Sequence, residues 1–192
     1  MKPDIRGLLT DLDKDVLYNA GLHSIGPILE IGSYHGASTV LLAQGLIDNE
    51  HNTYTLITVD PFNKHVECGI PGLGIIVHIT GRITRWIRDR NLDKYCVRHK
   101  VWTLNDRSCD IINTFPDNIF GTIFIDGDHS YPATKVDLMQ CIPKLKSGGL
   151  LLVHDKNHKD VIRAVHEEVT GDIFMSYAYY PGCDMACIAY KR

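Results

Sequence analysis

The stretch Pro27-Ile28-Leu29-Glu30-Ile31-Gly32-Ser33-Tyr34-His35-Gly36-Ala37-Ser38-Thr39 decides how the chain reads. It opens on a short apolar run, Ile28 to Ile31, bounded by Gly26-Pro27 and Gly32. Such a run predicts a buried parallel strand. A loop with two glycines follows, and a helix pattern then runs from Ala37 through Ala43. Strand, glycine loop and helix form the first half of a nucleotide-binding βαβ unit. The glycines let backbone approach a ligand that a Cβ would repel, and the helix start offers N–H groups to a carboxylate or phosphate. Glu30 lies inside the strand, where an unpaired carboxylate is expensive, so it requires a backbone or ammonium partner.

Outward from this unit the chain alternates strands and helices. Before it, Asp11 to Ala20 predicts an amphipathic helix with Leu12, Val16 and Leu17 on one face and Gly21 as its stop. After it, the helix ends near Gly45, and Tyr54 to Asp60 predicts a second strand closed by Pro61. Residues 62 to 74 are too rich in Gly and Pro for regular structure. The next segment reads as a helix with Ile79, Ile83, Trp86 and Ile87 on its apolar side and Arg82, Arg85 and Arg88 as a solvated stripe. Strands follow at Val97 to Leu104, Asn118 to Ile125 and Leu150 to His154. Between the last two, Ala133 to Ile142 predicts a helix burying Val136, Leu138, Met139 and Ile142, stopped by Pro143. A helix over Asp160 to Val169 precedes two closing strands, Asp172 to Tyr180 and Asp184 to Tyr190, joined antiparallel through Pro181-Gly182. The expected fold class is α/β: a single doubly wound, mainly parallel sheet with helices on both faces and an antiparallel strand pair at the C-terminus. One domain spans 1–192, with 1–24 as an N-terminal helical segment and 62–95 as a loop plus helix suited to an acceptor lid.

Composition narrows the function classes. A 192-residue chain of 44% hydrophobic residues supports one stable core. Its net charge of −3 gives no general attraction to nucleic acid or to an acidic membrane. The N-terminus lacks the apolar run of a signal peptide or a membrane span. Six scattered cysteines with no Cys-x-x-Cys pair argue for free thiols in a reducing, cytoplasmic setting. A homodimer is compatible with this composition, which leaves the oligomeric state open.

In an open parallel sheet, ligands bind beyond the carboxyl ends of the strands. The polar residues of this chain gather there: Gly32 and Gly36, then Asp60, then Asn105-Asp106, then Asp126 to His129, then His154-Asp155. Asp60 suits the two hydroxyls of a ribose, and the plainer alternative is a turn residue before Pro61. Asp106 or Asn105 suits a purine amino group, although a simple turn explains both equally well. A dinucleotide site fits poorly, because Tyr34 occupies the place of the second fingerprint glycine and Asp60 lies farther than about 20 residues from Gly32. Asp126 and Asp155 end two strands that could be neighbours, and their hard oxygens suit Mg²⁺ or Ca²⁺. His129 suits a general base, and the alternative for Asp126 to His129 is turn and capping chemistry. His65 and Cys68 look like a chance pair in a loop.

Leu29 to Thr39, Val59-Asp-Pro-Phe62, Ile125-Asp-Gly-Asp-His-Ser-Tyr131 and Gly148-Gly-Leu-Leu-Leu-Val-His-Asp155 together resemble class I S-adenosylmethionine-dependent methyltransferases. The nearest subgroup looks like the metal-dependent O-methyltransferases of macrolide-type sugars. The resemblance implies methyl transfer to a small-molecule acceptor, most readily at a hydroxyl oxygen. It implies S-adenosylmethionine bound by Glu30, Gly32, Ser33, Tyr34, Gly36 and Ser38, with its ribose on Asp60 and the purine near Asp106. It also implies Mg²⁺ held by Asp126, the position of His154, and Asp155, with His129 and Asp126 as the catalytic pair. Where this chain has His154, the sugar enzymes carry a carboxylate. The rival classes are a nucleotide- or NAD-binding enzyme on a similar sheet and a non-catalytic module that kept only the pocket.

Overall fold

The computed structural model describes residues 2–62, 66–70, 75–79, 81–177 and 182–192. The N-terminal helix α1 (Asp11–Leu22) starts on a capping box, in which the Thr10 side chain accepts from the Asp13 N–H while the Asp13 carboxylate accepts from the Thr10 N–H. It continues through Gly21, which the sequence had suggested as its stop. Strand β1 (Ile28–Ile31), helix α2 (Ala37–Asp48) and strand β2 (Leu56–Val59) then complete the first unit. A Cβ on Gly21 would lie 2.2 Å from the Leu42 carbonyl oxygen, and one on Gly45 would lie 2.3 Å from the Tyr18 carbonyl oxygen. These two glycines are therefore the contact at which α1 and α2 cross, and neither is a terminator.

The segment after β2 departs from expectation. It holds a two-stranded antiparallel hairpin, β3 (Val66–Ile70) with β4 (Ile75–Ile79), where an irregular loop was expected. Ile79 belongs to β4, and helix α3 (Gly81–Lys94) begins two residues later. That helix buries Gly81, Thr84, Arg88 and Leu92, while Ile83 and Trp86 are 46% and 56% exposed. The buried face is thus the one carrying an arginine, the reverse of the hydrophobic reading. Strand β5 (Val101–Leu104) and the single turn α4 (Ser108–Ile111) follow.

Strand β6 (Phe120–Ile125) is buried at every position, and helix α5 (Tyr131–Lys144) runs on through Pro143. A proline in the last turn removes one terminal N–H bond and leaves the preceding turns intact. Val136 and Met139 of α5 are exposed, and the buried stripe is Thr134, Asp137, Leu138, Cys141 and Ile142. The chain closes with β7 (Leu145–Val153), α6 (Lys159–Glu168), β8 (Phe174–Tyr177) and β9 (Cys187–Lys191). Pro181, like His65, lies outside the described residues.

The seven-stranded sheet has the order β5-β2-β1-β6-β7-β9-β8, with β5, β2, β1, β6 and β7 parallel and β9 antiparallel to both of its neighbours. Alternate strand residues face opposite layers. Ile28, Leu56, Phe124 and Leu152 pack with Leu17, Leu41, Leu42 and Leu92 of α1, α2 and α3. Leu29, Ile31, Ile123, Ile125 and Leu151 pack with Leu138, Ile142, Val161 and Val165 of α5 and α6. Two apolar layers explain why the strands read as continuous hydrophobic runs. The register sets Ile31 level with Val59 and Ile125, Val59 level with Leu104, and Ile125 level with Val153. The next residue of each strand is Gly32, Asp60, Asn105, Asp126 or His154, so these five form one row along the sheet's rim.

Candidate active site

Gly32 adopts φ +84°, and a Cβ there would lie 2.0 Å from the Asp126 carbonyl oxygen, so only glycine passes at this point. Asp60 fastens the loop to the end of β2. Its Oδ2 accepts from the Ser33 N–H at 2.9 Å and the Tyr34 N–H at 3.1 Å, and its Oδ1 accepts from the Phe62 N–H at 2.9 Å. Tyr34, Phe62 and Asp155, at φ 43°, 45° and 62°, are three of the five described non-glycine residues with left-handed backbone. All three follow a strand end at this rim, where strained backbone is held by its surroundings.

A pocket of about 670 Å³ opens above these ends. Gly32, Tyr34, Asp60 and Asp126 line it, together with Phe62, Ser108 and Asp137. Ser33 is buried beside it and reaches it only through its hold on Asp60. Other expected contacts sit elsewhere. Asp106 is exposed and off the pocket wall. Gly36 faces Arg88, whose Cγ would lie 2.9 Å from an added Cβ. Glu30 is fully buried beneath the loop, accepting from the Ser38 hydroxyl at 2.6 Å and the Thr39 hydroxyl at 2.7 Å. Its partners are hydroxyls, where a backbone or ammonium group was expected, and neither Glu30 nor Ser38 lines the pocket. Burial pushes the Glu30 carboxyl up to about 7, against the pull of those hydroxyls and of the nearby Arg88 charge.

Beside the pocket lies an ionisable cluster. Asp126, His154 and Asp155 each offer one ligand atom, all within 4.8 Å of one another. His129 Nε2 stands 2.7 Å from Asp155 Oδ2 and 3.5 Å from Asp126 Oδ1. Hydrogen bonds to Asp126 and then Asp155 raise the His129 imidazole to about 10, which favours its protonated form while it is paired with these carboxylates. His154 is 6% exposed, with Nδ1 3.4 Å from Asp155 Oδ2 and Nε2 3.5 Å from Asp13 Oδ2. Burial opposes its charged form, yet Asp13 and Asp155 outweigh burial and raise it to about 10. Burial would also raise Asp155, but His129 and His154 hold it far below the ordinary carboxylate range.

Three residues here escaped the sequence reading. Asp13, in the first turn of α1, is fully buried and accepts from the Asp184 N–H at 2.8 Å and the Cys183 thiol at 2.9 Å as well as facing His154. Its capping-box spacing from Thr10 was a legible signal, but of the helix start only. Arg88 is 1% exposed, donates to the Thr103 hydroxyl at 2.6 Å, lies 3.1 Å from Asp89 Oδ1 and places its guanidinium 5.0 Å from the Phe62 ring centre. Asp137 stands in the buried stripe of α5, and a carboxylate at helix spacing among apolar residues was the sign of it.

No curated protein matches the chain. Solved structures share its fold. The O-methyltransferase NovP superposes with a TM-score of 0.68 at 19% identity, over 93% of this chain and 78% of that one. The O-methyltransferase TomG from Streptomyces achromogenes, involved in tomaymycin synthesis and solved with SAM, gives 0.66 at 19% identity over 98% and 82%. The SAH-bound Podospora anserina methyltransferase PaMTH1 gives 0.62 at 15% identity over 95% and 79%. A family model described as a methyltransferase domain matches residues 29–156, the span from β1 to just past Asp155 that builds the whole rim. With that match and this strand order, the chain belongs to the methyltransferase-domain family and has the class I, S-adenosylmethionine-dependent methyltransferase fold.

Proposed function

We propose that this protein transfers the sulfonium methyl group of S-adenosylmethionine to a hydroxyl oxygen of a small-molecule acceptor. The observation that carries the reading is the single pocket wall that runs from Gly32, Tyr34 and Asp60 to Asp126, next to the cluster of His129, His154 and Asp155. The first part suits a nucleoside, and the second suits a group that must lose a proton. In the reaction the acceptor oxygen attacks the methyl carbon in line with the carbon–sulfur bond. The carbon–oxygen bond forms, the carbon–sulfur pair stays on sulfur as the thioether, and the hydroxyl proton leaves to a base. Holding oxygen, carbon and sulfur in line supplies much of the rate.

Asp126, His154 and Asp155 fit a divalent cation that takes imidazole, such as iron, better than magnesium, which prefers oxygen throughout. When bound, such an ion supplies Lewis acidity that lowers the pKa of a coordinated hydroxyl. His129 pairs with two of the same three groups. Released from them, its imidazole returns toward the ordinary histidine range and can take the hydroxyl proton. The described cysteines are free thiols, which fits a reducing, cytoplasmic setting, and no described helix is long and apolar enough to cross a membrane.

Calorimetric titration with S-adenosylhomocysteine and, separately, NAD tests the cofactor. Binding of the first alone is expected, and binding of NAD alone overturns the proposal. Incubation of a panel of hydroxylated acceptors with deuteriomethyl-labelled cofactor then reads methyl transfer directly by mass.

A further inference from the structure

We propose that Asp13 is a positioning residue: it keeps the proton of His154 on Nε2 and so makes Nδ1 the atom that His154 presents to a divalent cation beside Asp126 and Asp155. The inference rests on the cation reading above. It adds a residue from the N-terminal helix, outside the span that the methyltransferase family model matches.

His154 stands between two acidic surroundings. Its Nδ1 lies 3.4 Å from Asp155 Oδ2 and 3.9 Å from Asp126 Oδ1, while its Nε2 lies 3.5 Å from Asp13 Oδ2. The ring is buried and meets the Phe124 ring edge-on, with centroids 6.3 Å apart. Nε2 is sealed from solvent and completes no hydrogen bond, and Asp13 is the one carboxylate set against it among the described residues.

Asp13 is itself fully buried and fixed by four donors. Its Oδ2 accepts from the Thr10 N–H at 2.8 Å and the Thr10 hydroxyl at 2.7 Å. Its Oδ1 accepts from the Asp184 N–H at 2.8 Å and the Cys183 thiol at 2.9 Å. Such a set suits a carboxylate that stays ionised, and an ionised carboxylate can only accept. A neutral imidazole carries one N–H, so the nitrogen facing Asp13 is the one that holds it. Nδ1 then keeps its lone pair on the side of Asp126 and Asp155. Capping of α1 accounts for the Thr10 contacts, but it does not require a buried imidazole against the same oxygen. A carboxylate behind a ligating imidazole fixes both its tautomer and its orientation.

Zinc is the probe, because it is diamagnetic and takes imidazole and carboxylate together. Long-range proton–nitrogen NMR spectra of the zinc-loaded wild type show which ring nitrogen is coordinated, with the His154 signals identified by their absence from His154→Ala. Coordination through Nδ1 with a proton on Nε2 is expected, and coordination through Nε2 overturns the proposal. Competition against a fluorescent zinc chelator then gives the affinity. Asp13→Asn should bind zinc about ten- to a hundredfold more weakly, because a carboxamide can turn an N–H toward Nε2 and release the wrong nitrogen's proton. Thr10→Ala weakens the helix cap and leaves the Asp13 charge in place, so its zinc affinity should stay close to that of wild type. A folded Asp13→Asn with wild-type affinity, or a loss in Thr10→Ala as large as that in Asp13→Asn, overturns the proposal. Should Asp13→Asn fail to fold, the coordinated nitrogen in wild type decides. A wild type that does not bind zinc at His154 overturns the cation reading and this inference with it, while the S-adenosylmethionine reading stands or falls on its own titration.

Discussion

At the scale of single residues, Glu30 ties folding to pH. Its ordinary value of 4.5 rises to about 7 in the folded chain, chiefly by burial. Folding therefore favours its neutral form. That contribution is fully present below the unfolded value and is lost as pH rises through the folded one. From about pH 4.5 to about pH 7 the wild type loses roughly 3 kcal/mol relative to a protein without this carboxyl. Glu30→Gln should gain stability relative to wild type across that window, and urea unfolding at pH 5 and pH 8 measures the difference. A constant difference would show that the carboxyl does not titrate there. His129 gives a second residue-scale expectation. As the proposed base, and outside the main pocket wall, His129→Ala should cut turnover about a hundredfold or more while S-adenosylhomocysteine binds as before. In metal-free wild type, turnover should climb from pH 7 to 9, since only the fraction that has shed its proton accepts another and the folded value is about 10. A flat profile over that range removes His129 from the role.

At the scale of elements, α3 is held by a charge. Arg88 joins it to β5 through Thr103, to the glycine loop through Gly36 and to the pocket wall through Phe62. Removing one partner of a buried charged network leaves the others uncompensated. Arg88→Met should therefore cost about 3 kcal/mol although it is the more hydrophobic residue, and denaturant titration gives the value. A neutral or stabilising result would mean that Glu30 and Asp89 do not depend on this guanidinium. The Gly21 and Gly45 crossing makes a related point for α1. The helix packs closely on α2, and its Asp13 stands 3.5 Å from His154, so the N-terminal segment is part of the site's support.

At the scale of the whole molecule, the rim joins elements distant in the chain, so a ligand spanning Gly32, Asp60 and Asp137 should stabilise the fold as one unit. S-adenosylhomocysteine at about a hundred times its Kd should add about 2.7 kcal/mol, read as a raised Tm. NAD at the same concentration should leave Tm unchanged. Much of this architecture was legible beforehand. Alternating apolar strands and helices announced the doubly wound sheet, and Gly32, Asp60, Asp126 and Asp155 announced the rim, because period and turn chemistry are local properties of a chain. The sequence by itself thus determined the class of fold and the edge where chemistry happens. Tertiary structure alone decided which side chains face that edge. Arg88 looked solvated and is buried, Glu30 looked like a ligand contact and is sealed by Ser38 and Thr39, and Asp13 and Asp137 joined the site from helices. A helix's buried face, and the sign of a residue's pKa shift, depend on partners far away in sequence, which no local pattern encodes.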